Sequence, residues 1–455
     1  MARLRTAFFC TDCGNETPRW QGQCPACGAW NTLAEEPLVR TRPERTRAAR
    51  ASDVVALTPV RLADVAPGDT ARWATGIDEF DWVLGGGVVP GAVVLVGGEP
   101  GIGKSTLLLQ VAARLQRSRS PALYVSGEES AAQVKLRADR LVEPADDVVF
   151  LGETELEIVL SRAAEIQPSA LFIDSIQTVY AADLEGTAGN VTQVRECAAR
   201  LQRFAKETDT AVFLVGHVTK GGAVAGPKTL EHIVDTVLYF EGDPSLDHRV
   251  LRATKNRFGA ADEIGVFRMT GTGLLAVQNP SELFLGERRP GGSGVAVVAT
   301  MEGTRPLLVE VQALCVRASY GSAQRVATGF DRQRLALLLA VLERRAGLRF
   351  AEADVFLNVA GGARITEPAA DLAVAVALAS AQLDRAGSPE TIYLGELGLS
   401  GDIRAVGQLE RRLAEAARMG FTRALVPDRA SVRSPAGLEA VPVADLAGAL
   451  TAALP

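Results

Sequence analysis

A chain of 455 residues with 47% hydrophobic and 22% charged side chains has the composition of a folded protein of about three domains, which excludes a disordered or fibrous chain. Its formal net charge of −6 excludes a general attraction to nucleic acid, so any such binding must use local basic patches. We see no signal pattern and no apolar run of the roughly 20 residues that a membrane helix needs. We therefore expect a cytoplasmic protein with no membrane partner.

The first 30 residues contain four of the six cysteines, in two close pairs: Cys10, Cys13, Cys24 and Cys27. A glycine follows each pair and allows a tight turn that aims backbone N–H groups at thiolate sulfur, which is typical of a tetrahedral Zn²⁺ site. The alternative is two disulfides or unligated thiols, which a reducing compartment disfavours. We predict a zinc finger over residues 1–30, folded largely by its metal because so short a segment buries little core.

Residues 31–70 are rich in proline, charge and alanine without a steady period, which predicts a linker. The linker carries a basic run broken by Glu44: Arg40, Arg42, Arg45, Arg47 and Arg50. This run is either a salt-sensitive DNA contact or a solubilising tether.

Over residues 71–285, apolar strands alternate with amphipathic helices, which predicts an α/β domain with a mostly parallel sheet.

The segment GGEPGIGKST, residues 97–106, lies between the apolar run AVVLV and the helical pattern LLLQVAARLQ. Its glycines, lysine and serine match the phosphate-loop pattern in the strand–loop–helix context that such a site needs; an unliganded glycine-rich turn is the alternative. Loop N–H groups would surround the phosphates, the lysine would neutralise them and the serine hydroxyl would bind Mg²⁺. We predict that ATP is bound by Gly98, Glu99, Pro100, Gly101, Ile102, Gly103, Lys104, Ser105 and Thr106.

Acidic residues follow two other predicted strands of this domain. ALFIDS ends a buried strand in Asp174, which we assign to Mg²⁺, with a strand-ending cap as the alternative. YVSGEES ends another strand with Glu128 and Glu129, one of which would orient the attacking water. We favour Glu128, with Glu129 close behind; the alternative is a solvated pair at a helix N-terminus.

A third strand, AVFLVGH, ends in His217 and is followed by a polar, glycine-containing loop from Lys220 to Lys228. A polar residue at this position can sense the terminal phosphate and move the loop. A histidine that is simply hydrogen-bonded at a strand end is an equally good interpretation.

The segment Lys255-Asn256-Arg257-Phe258-Gly259, together with the cysteine-rich head and the ATPase pattern, makes the chain resemble the bacterial RadA (Sms) family of recombination proteins over essentially its whole length. The resemblance implies a four-cysteine zinc finger, a RecA-like P-loop ATPase core and, at residues 286–455, an α/β domain similar to the Lon protease domain. It implies a homohexameric ring that hydrolyses ATP, translocates on single-stranded DNA and promotes branch migration of strand-exchange structures made by RecA. Its partners would be single-stranded DNA, branched DNA and RecA.

The resemblance also assigns roles to parts of the chain. The segments 177–195 and 220–228 occupy the places of RecA-like DNA loops. Lys255 and Arg257 would reach the neighbouring subunit's phosphates or the DNA backbone; the alternative is a cationic turn, solvated or paired with Asp262 or Glu263.

The C-terminal domain departs from the Lon pattern at both catalytic positions. The nucleophilic serine is replaced by Ala369 and the lysine by Glu410, so we predict a scaffold without peptidase activity. An alternative function for the whole chain is a RecA-like ATPase ring that remodels a protein partner without nucleic acid.

Overall fold

The structure is a computed structural model. It describes residues 5–11, 15–38, 61, 71–118, 121–217, 229–242, 247–285, 291–318, 323–430 and 433–454. The chain divides into two compact units, residues 1–277 and 278–455. This division precedes the predicted boundary at 285/286, because the helix Pro280–Leu285 belongs to the second unit, where Ser281 donates a hydrogen bond to Glu415.

The first unit contains a cysteine-rich head and a large α/β domain. Its elements in chain order are β1 Arg5–Cys10, β2 Glu16–Thr17, β3 Leu33–Leu38, α1 Asp78–Val83, β4 Val93–Gly98, α2 Lys104–Ser118, β5 Ala122–Ser126, α3 Ala131–Ala138, β6 Val149–Leu151, α4 Leu156–Ile166, β7 Ala170–Asp174, α5 Val191–Thr208, β8 Ala211–His217, β9 Thr236–Glu241, β10 His248–Asn256, β11 Ile264–Thr270 and β12 Gly273–Ala276.

The α/β domain is built on a nine-stranded sheet in the order β12-β11-β10-β9-β4-β8-β7-β5-β6. The strands from β9 to β6 pair in parallel, and β10 to β12 add an antiparallel extension. The central strands β4, β5 and β7 are buried along their whole length, because α2 packs on one face of the sheet and α4 and α5 on the other. Continuous apolar runs are typical of strands covered on both faces.

A row of aromatic rings crosses this sheet under α2. Tyr124 of β5 pairs in register with Phe172 of β7, which pairs with Phe213 of β8. The ring centroids of Tyr124 and Phe172 are 6.2 Å apart, and those of Phe172 and Phe213 are 4.7 Å apart. The row therefore ties together the three strands whose carboxyl ends carry the predicted catalytic residues.

The second unit is an α/β domain on a seven-stranded mixed sheet in the order β15-β16-β14-β13-β17-β20-β21. Its elements are α6 Pro280–Leu285, β13 Val295–Glu302, β14 Arg305–Arg317, β15 Arg325–Thr328, α7 Arg332–Ala346, β16 Ala353–Val359, α8 Asp371–Leu383, β17 Thr391–Tyr393, β18 Glu396–Leu397, β19 Ile403–Arg404, α9 Leu409–Arg418, β20 Arg423–Pro427, β21 Glu439–Val443 and α10 Leu446–Ala453.

The helix α8 forms the centre of the second unit. Its residues from Asp371 to Ser380 are all buried, as expected for a helix that is apolar on every side.

Within the part of the chain that the structure describes, no helix combines the length and apolar character needed to cross a bilayer. The predicted α/β fold class, with a mostly parallel sheet in the ATPase core, is confirmed.

Candidate nucleotide site and cysteine cluster

The loop between β4 and α2 depends on glycine at two positions. Gly98 and Gly103 have φ angles of +149° and +116°. A Cβ on Gly98 would lie 2.7 Å from the carbonyl oxygen of Phe240, and one on Gly103 would lie 2.7 Å from the Cε of Met269. Glycine therefore allows the loop to fold closely over the end of the sheet, with its backbone N–H groups at the start of α2.

Lys104 is the first residue of α2, and its residue surface is only 3% exposed. Its ammonium donates hydrogen bonds of 2.9 Å to the carbonyl oxygens of Gly98 and Glu99, so it closes the loop from inside. The pKa of Lys104 is lowered, because the effect of burial is larger than the opposing effect of the nearby Asp174 and Glu128 carboxylates. The lysine thus lies between the loop and two acids, which is where nucleotide phosphates need a positive charge.

The carboxyl ends of β4, β5, β7 and β8 meet at one edge of the sheet. Gly98 pairs with His217, and Ser126 pairs with Asp174, so the phosphate loop and the predicted polar residues share this edge. Parallel α/β sheets bind their ligands at this edge. The hydroxyl of Ser105, half-buried in α2, and the carboxylate of Asp174 form an all-oxygen donor set, which suits Mg²⁺.

Glu128 lies at the centre of this edge. Its Oε1 accepts a 2.5 Å hydrogen bond from the Ser175 hydroxyl and lies 3.3 Å from Nε2 of His217. The hydrogen bond from His217 and, to a lesser extent, that from Ser175 lower the pKa of Glu128 to about 2, against the opposing effect of burial. Glu128 is therefore ionised, and its charge interacts with that of Lys104.

Glu129 is held on a different side of the turn. Its carboxylate forms an ion pair with Arg137 of α3. The helix α3 begins at Ala131 with Ser130 as its N-cap, and its first turn has no acidic residue. Both acids therefore precede the N-cap and lie outside the first turn of α3, and the two adjacent glutamates have different surroundings.

The cysteine cluster brings together three of the four predicted ligands. The sulfur atoms of Cys10, Cys24 and Cys27 lie within 4.8 Å of one another, and those of Cys10 and Cys27 are 3.7 Å apart. Zn–S bonds of about 2.3 Å in a tetrahedron place sulfurs ~3.8 Å apart, so these thiols fit Zn²⁺. Cys13 lies outside the described residues.

Lys255 and Arg257 contact one short segment of their own chain. The ammonium of Lys255 donates to the carbonyl oxygens of Glu231 and Val234. Arg257 Nη1 donates a 3.0 Å bond to Oδ1 of the buried Asp235, and this differs from the predicted alternative of pairing with Asp262 or Glu263. The structure does not bring either cation to Lys104 within the chain. About half of the Arg257 side chain is exposed.

The first predicted DNA segment, residues 177–195, is held by a buried amide and by an ion pair to α5. The buried Gln193 accepts from the Ala181 N–H and donates to the carbonyl oxygens of Ala181 and Leu184. Asp183, Glu185 and Arg195 are exposed, so this segment presents both acids and a cation, and Asp183 is paired with Arg200. The second predicted DNA segment, residues 220–228, and the arginine run of the linker lie outside the described residues.

The position of the Lon nucleophile in the second unit is occupied by Ala369, which is buried in the turn before α8. Glu410 is exposed in the first turn of α9. Between these elements, the buried Arg412 forms two hydrogen bonds to the Glu367 carboxylate, at 2.7 and 2.6 Å, and donates to the carbonyl oxygen of Ala299. The charges of Arg412 and Glu367 are therefore paired with each other.

Sequence reasoning missed four side chains that hold the predicted residues: Tyr124, Arg137, Ser175 and Asp235. Two of them carried a signal. Tyr124 and Asp235 are polar residues in mostly apolar runs, ALYV and IVDTV, and a buried polar group needs a partner.

The fold and the phosphate loop define a P-loop ATPase domain with its nucleotide site at the carboxyl ends of a parallel sheet. The chain matches the family model "AAA domain" over residues 58–223, "Rubredoxin metal binding domain" over residues 8–35 and "Subunit ChlI of Mg-chelatase" over residues 323–430. These matches cover the ATPase core, the cysteine cluster and part of the second unit.

Full-length relatives identify the family. The chain is 48% identical over 457 residues to DNA repair protein RadA of Bacillus subtilis, and the match covers 100% of both chains. It is 48% identical to the protein of that name from Listeria monocytogenes, covering 100% of this chain and 99% of the relative, and 47% identical to that of Streptococcus pyogenes, covering 99% of each. The chain belongs to the RadA family, as its sequence motifs predict.

Proposed function

We propose that this chain is a Mg²⁺-dependent ATPase of DNA repair and homologous recombination, stimulated by single-stranded DNA. The observation that carries the proposal is the convergence of Lys104, Asp174 and Glu128 at one edge of the sheet, in a chain that matches DNA repair proteins over its full length. As a homohexameric ring, it would translocate on single-stranded DNA and promote branch migration of strand-exchange structures made by RecA.

In this proposal the nucleotide site works through fixed charges. The loop from Gly98 to Thr106 holds the phosphates, and Lys104 exchanges its two carbonyl partners for phosphate oxygens. Ser105 and Asp174 hold Mg²⁺, which neutralises charge on the phosphates when it is bound. Glu128 orients the attacking water, because its charge interacts with that of Lys104 while Glu129 pairs with Arg137. His217 senses hydrolysis through its contact with Glu128.

Lys255 and Arg257 act in this proposal across a subunit boundary. Asp235 holds Arg257 at the surface, and the half-exposed Arg257 side chain would reach phosphates of a neighbouring subunit or of DNA. The zinc head and the second unit act as non-catalytic modules. Ala369 and Glu410 supply neither the nucleophile nor the lysine of a Lon-type dyad, which supports a chain that is not a protease.

The test of this function is ATP turnover with and without single-stranded DNA across a salt series. We expect stimulation by DNA that falls as salt rises, because the protein must displace cations from the DNA phosphates and this displacement is less favourable at high salt. A turnover rate that is the same with and without DNA at low salt would support the alternative, an ATPase that acts on a protein partner.

A further inference from the structure

Tyr124 is fully buried at one end of the aromatic row, in which the next two members are phenylalanines. A phenylalanine at position 124 would fill the same space and stack equally well on Phe172. Burying a hydroxyl is unfavourable unless it finds a hydrogen-bond partner. The tyrosine therefore differs from its neighbours in the row by one oxygen atom, and packing does not explain that atom.

The partner of this oxygen is the predicted Mg²⁺ carboxylate. The Tyr124 hydroxyl donates a 2.6 Å hydrogen bond to Oδ2 of Asp174, a residue that is 5% exposed. The phenol thus acts as a donor to one of the two carboxylate oxygens.

We propose that Tyr124 is a positioning residue for Mg²⁺ binding: its hydroxyl fixes one oxygen of Asp174 so that the other faces the metal and its water shell. The inference rests on the proposed function, because it concerns the metal of the same nucleotide site. Partners behind a metal-binding carboxylate fix its orientation and commonly change metal affinity by about 10- to 100-fold when removed. The aromatic row keeps the phenol itself in place, since Tyr124 is stacked on a ring that is stacked on the next strand.

The experiment compares Tyr124→Phe with wild type and with the control Tyr239→Phe, which removes a half-buried phenol from β9 of the same sheet. Binding of a fluorescent, non-hydrolysable ATP analogue is titrated with Mg²⁺ and repeated in EDTA. We expect Tyr124→Phe to need about tenfold more Mg²⁺ for half-maximal binding and to keep its affinity in EDTA. Tyr239→Phe is expected to match wild type in both titrations.

An unchanged Mg²⁺ midpoint in Tyr124→Phe, with a normal Mg²⁺ response in wild type, would overturn the positioning role alone. An equal loss of affinity in EDTA would overturn it as well, because that result indicates a structural defect. If nucleotide binding by wild type itself does not respond to Mg²⁺, both the proposed function and the positioning role of Tyr124 fail. In an Asp174→Asn background, Tyr124→Phe is expected to add no further shift, and an additive shift would contradict the coupling.

Discussion

Two turns that lead into helices carry buried charge in this molecule, one in each unit. In the first unit, Lys104 donates to two neutral carbonyl oxygens and lies near the carboxylates of Glu128 and Asp174. In the second unit, Arg412 is paired directly with Glu367 and further bonded to backbone oxygen. The lysine can exchange weak partners for a phosphate, whereas the arginine already has the strongest partner that a protein offers.

This difference between the partners of Lys104 and Arg412 distinguishes a binding site from a structural ion pair. A charge bonded to neutral groups gains free energy when an oppositely charged ligand arrives, since charge-assisted hydrogen bonds are stronger. A charge in a satisfied bidentate pair loses its partner if a ligand competes for it. The same comparison explains why the turn at Ala369 is interpreted as scaffold, although the domain resembles a protease in sequence.

The largest expected effect is on the first turn. Lys104→Ala removes the charge at the phosphates and is expected to lower ATP turnover by about 100-fold or more, measured as phosphate release. Lys135→Ala, which removes an exposed lysine of α3 paired with Asp139 and Asp146, is the matched control and keeps its activity. Near-normal turnover in Lys104→Ala would refute the assignment of this turn to phosphate.

The second turn is expected to respond in stability instead. Arg412→Ala leaves the Glu367 carboxylate without its charged partner and is expected to destabilise the second unit by about 3 kcal/mol, measured by chemical or thermal unfolding. The neighbouring exposed Arg411→Ala serves as control, with an expected change of ~0.5 kcal/mol or less. Equal losses of stability in Arg412→Ala and Arg411→Ala would contradict the assignment of Arg412 to a structural ion pair.

The smallest effect is a pH dependence that comes from Glu128, whose charge interacts with that of Lys104 in the first turn. The pKa of Glu128 is lowered from 4.5 to about 2 by its hydrogen bonds. Its contribution to stability is therefore present above pH 4.5 and lost as pH falls toward 2. The difference in Tm between wild type and Glu128→Gln is expected to be constant from about pH 7 to 5 and to narrow at about pH 4. A difference that widens on acidification would contradict this pKa.

The sequence was sufficient for those parts of the fold and site whose signals are local. The phosphate loop lies within ten consecutive residues, and β7 occupies the apolar run that precedes Asp174. Continuous apolar runs report burial directly, so the buried strands could be recognised without a structure. Cysteine spacing likewise defined the cluster from which Cys10, Cys24 and Cys27 come together.

The sequence was insufficient where distant strands supply the partner. Glu128 and Glu129 follow the end of β5 in an irregular turn, so no periodicity assigns them to different sides. Their separation depends on Ser175 and Arg137, which come from other elements. The bond from Tyr124 to Asp174 joins positions 50 residues apart, and the pairing of Arg257 with Asp235 depends on how β10 lies beside β9. These contacts follow from register, which composition does not encode.

The most direct test of the central claim compares Glu128→Gln with Glu129→Gln in ATP turnover and in binding of a fluorescent ATP analogue, each with single-stranded DNA present. We predict that Glu128→Gln binds nucleotide as wild type does but hydrolyses it about 100-fold more slowly. Glu129→Gln is predicted to keep most of its turnover. Loss of turnover in Glu129→Gln with near-normal hydrolysis in Glu128→Gln would contradict the assignment of Glu128 to the attacking water.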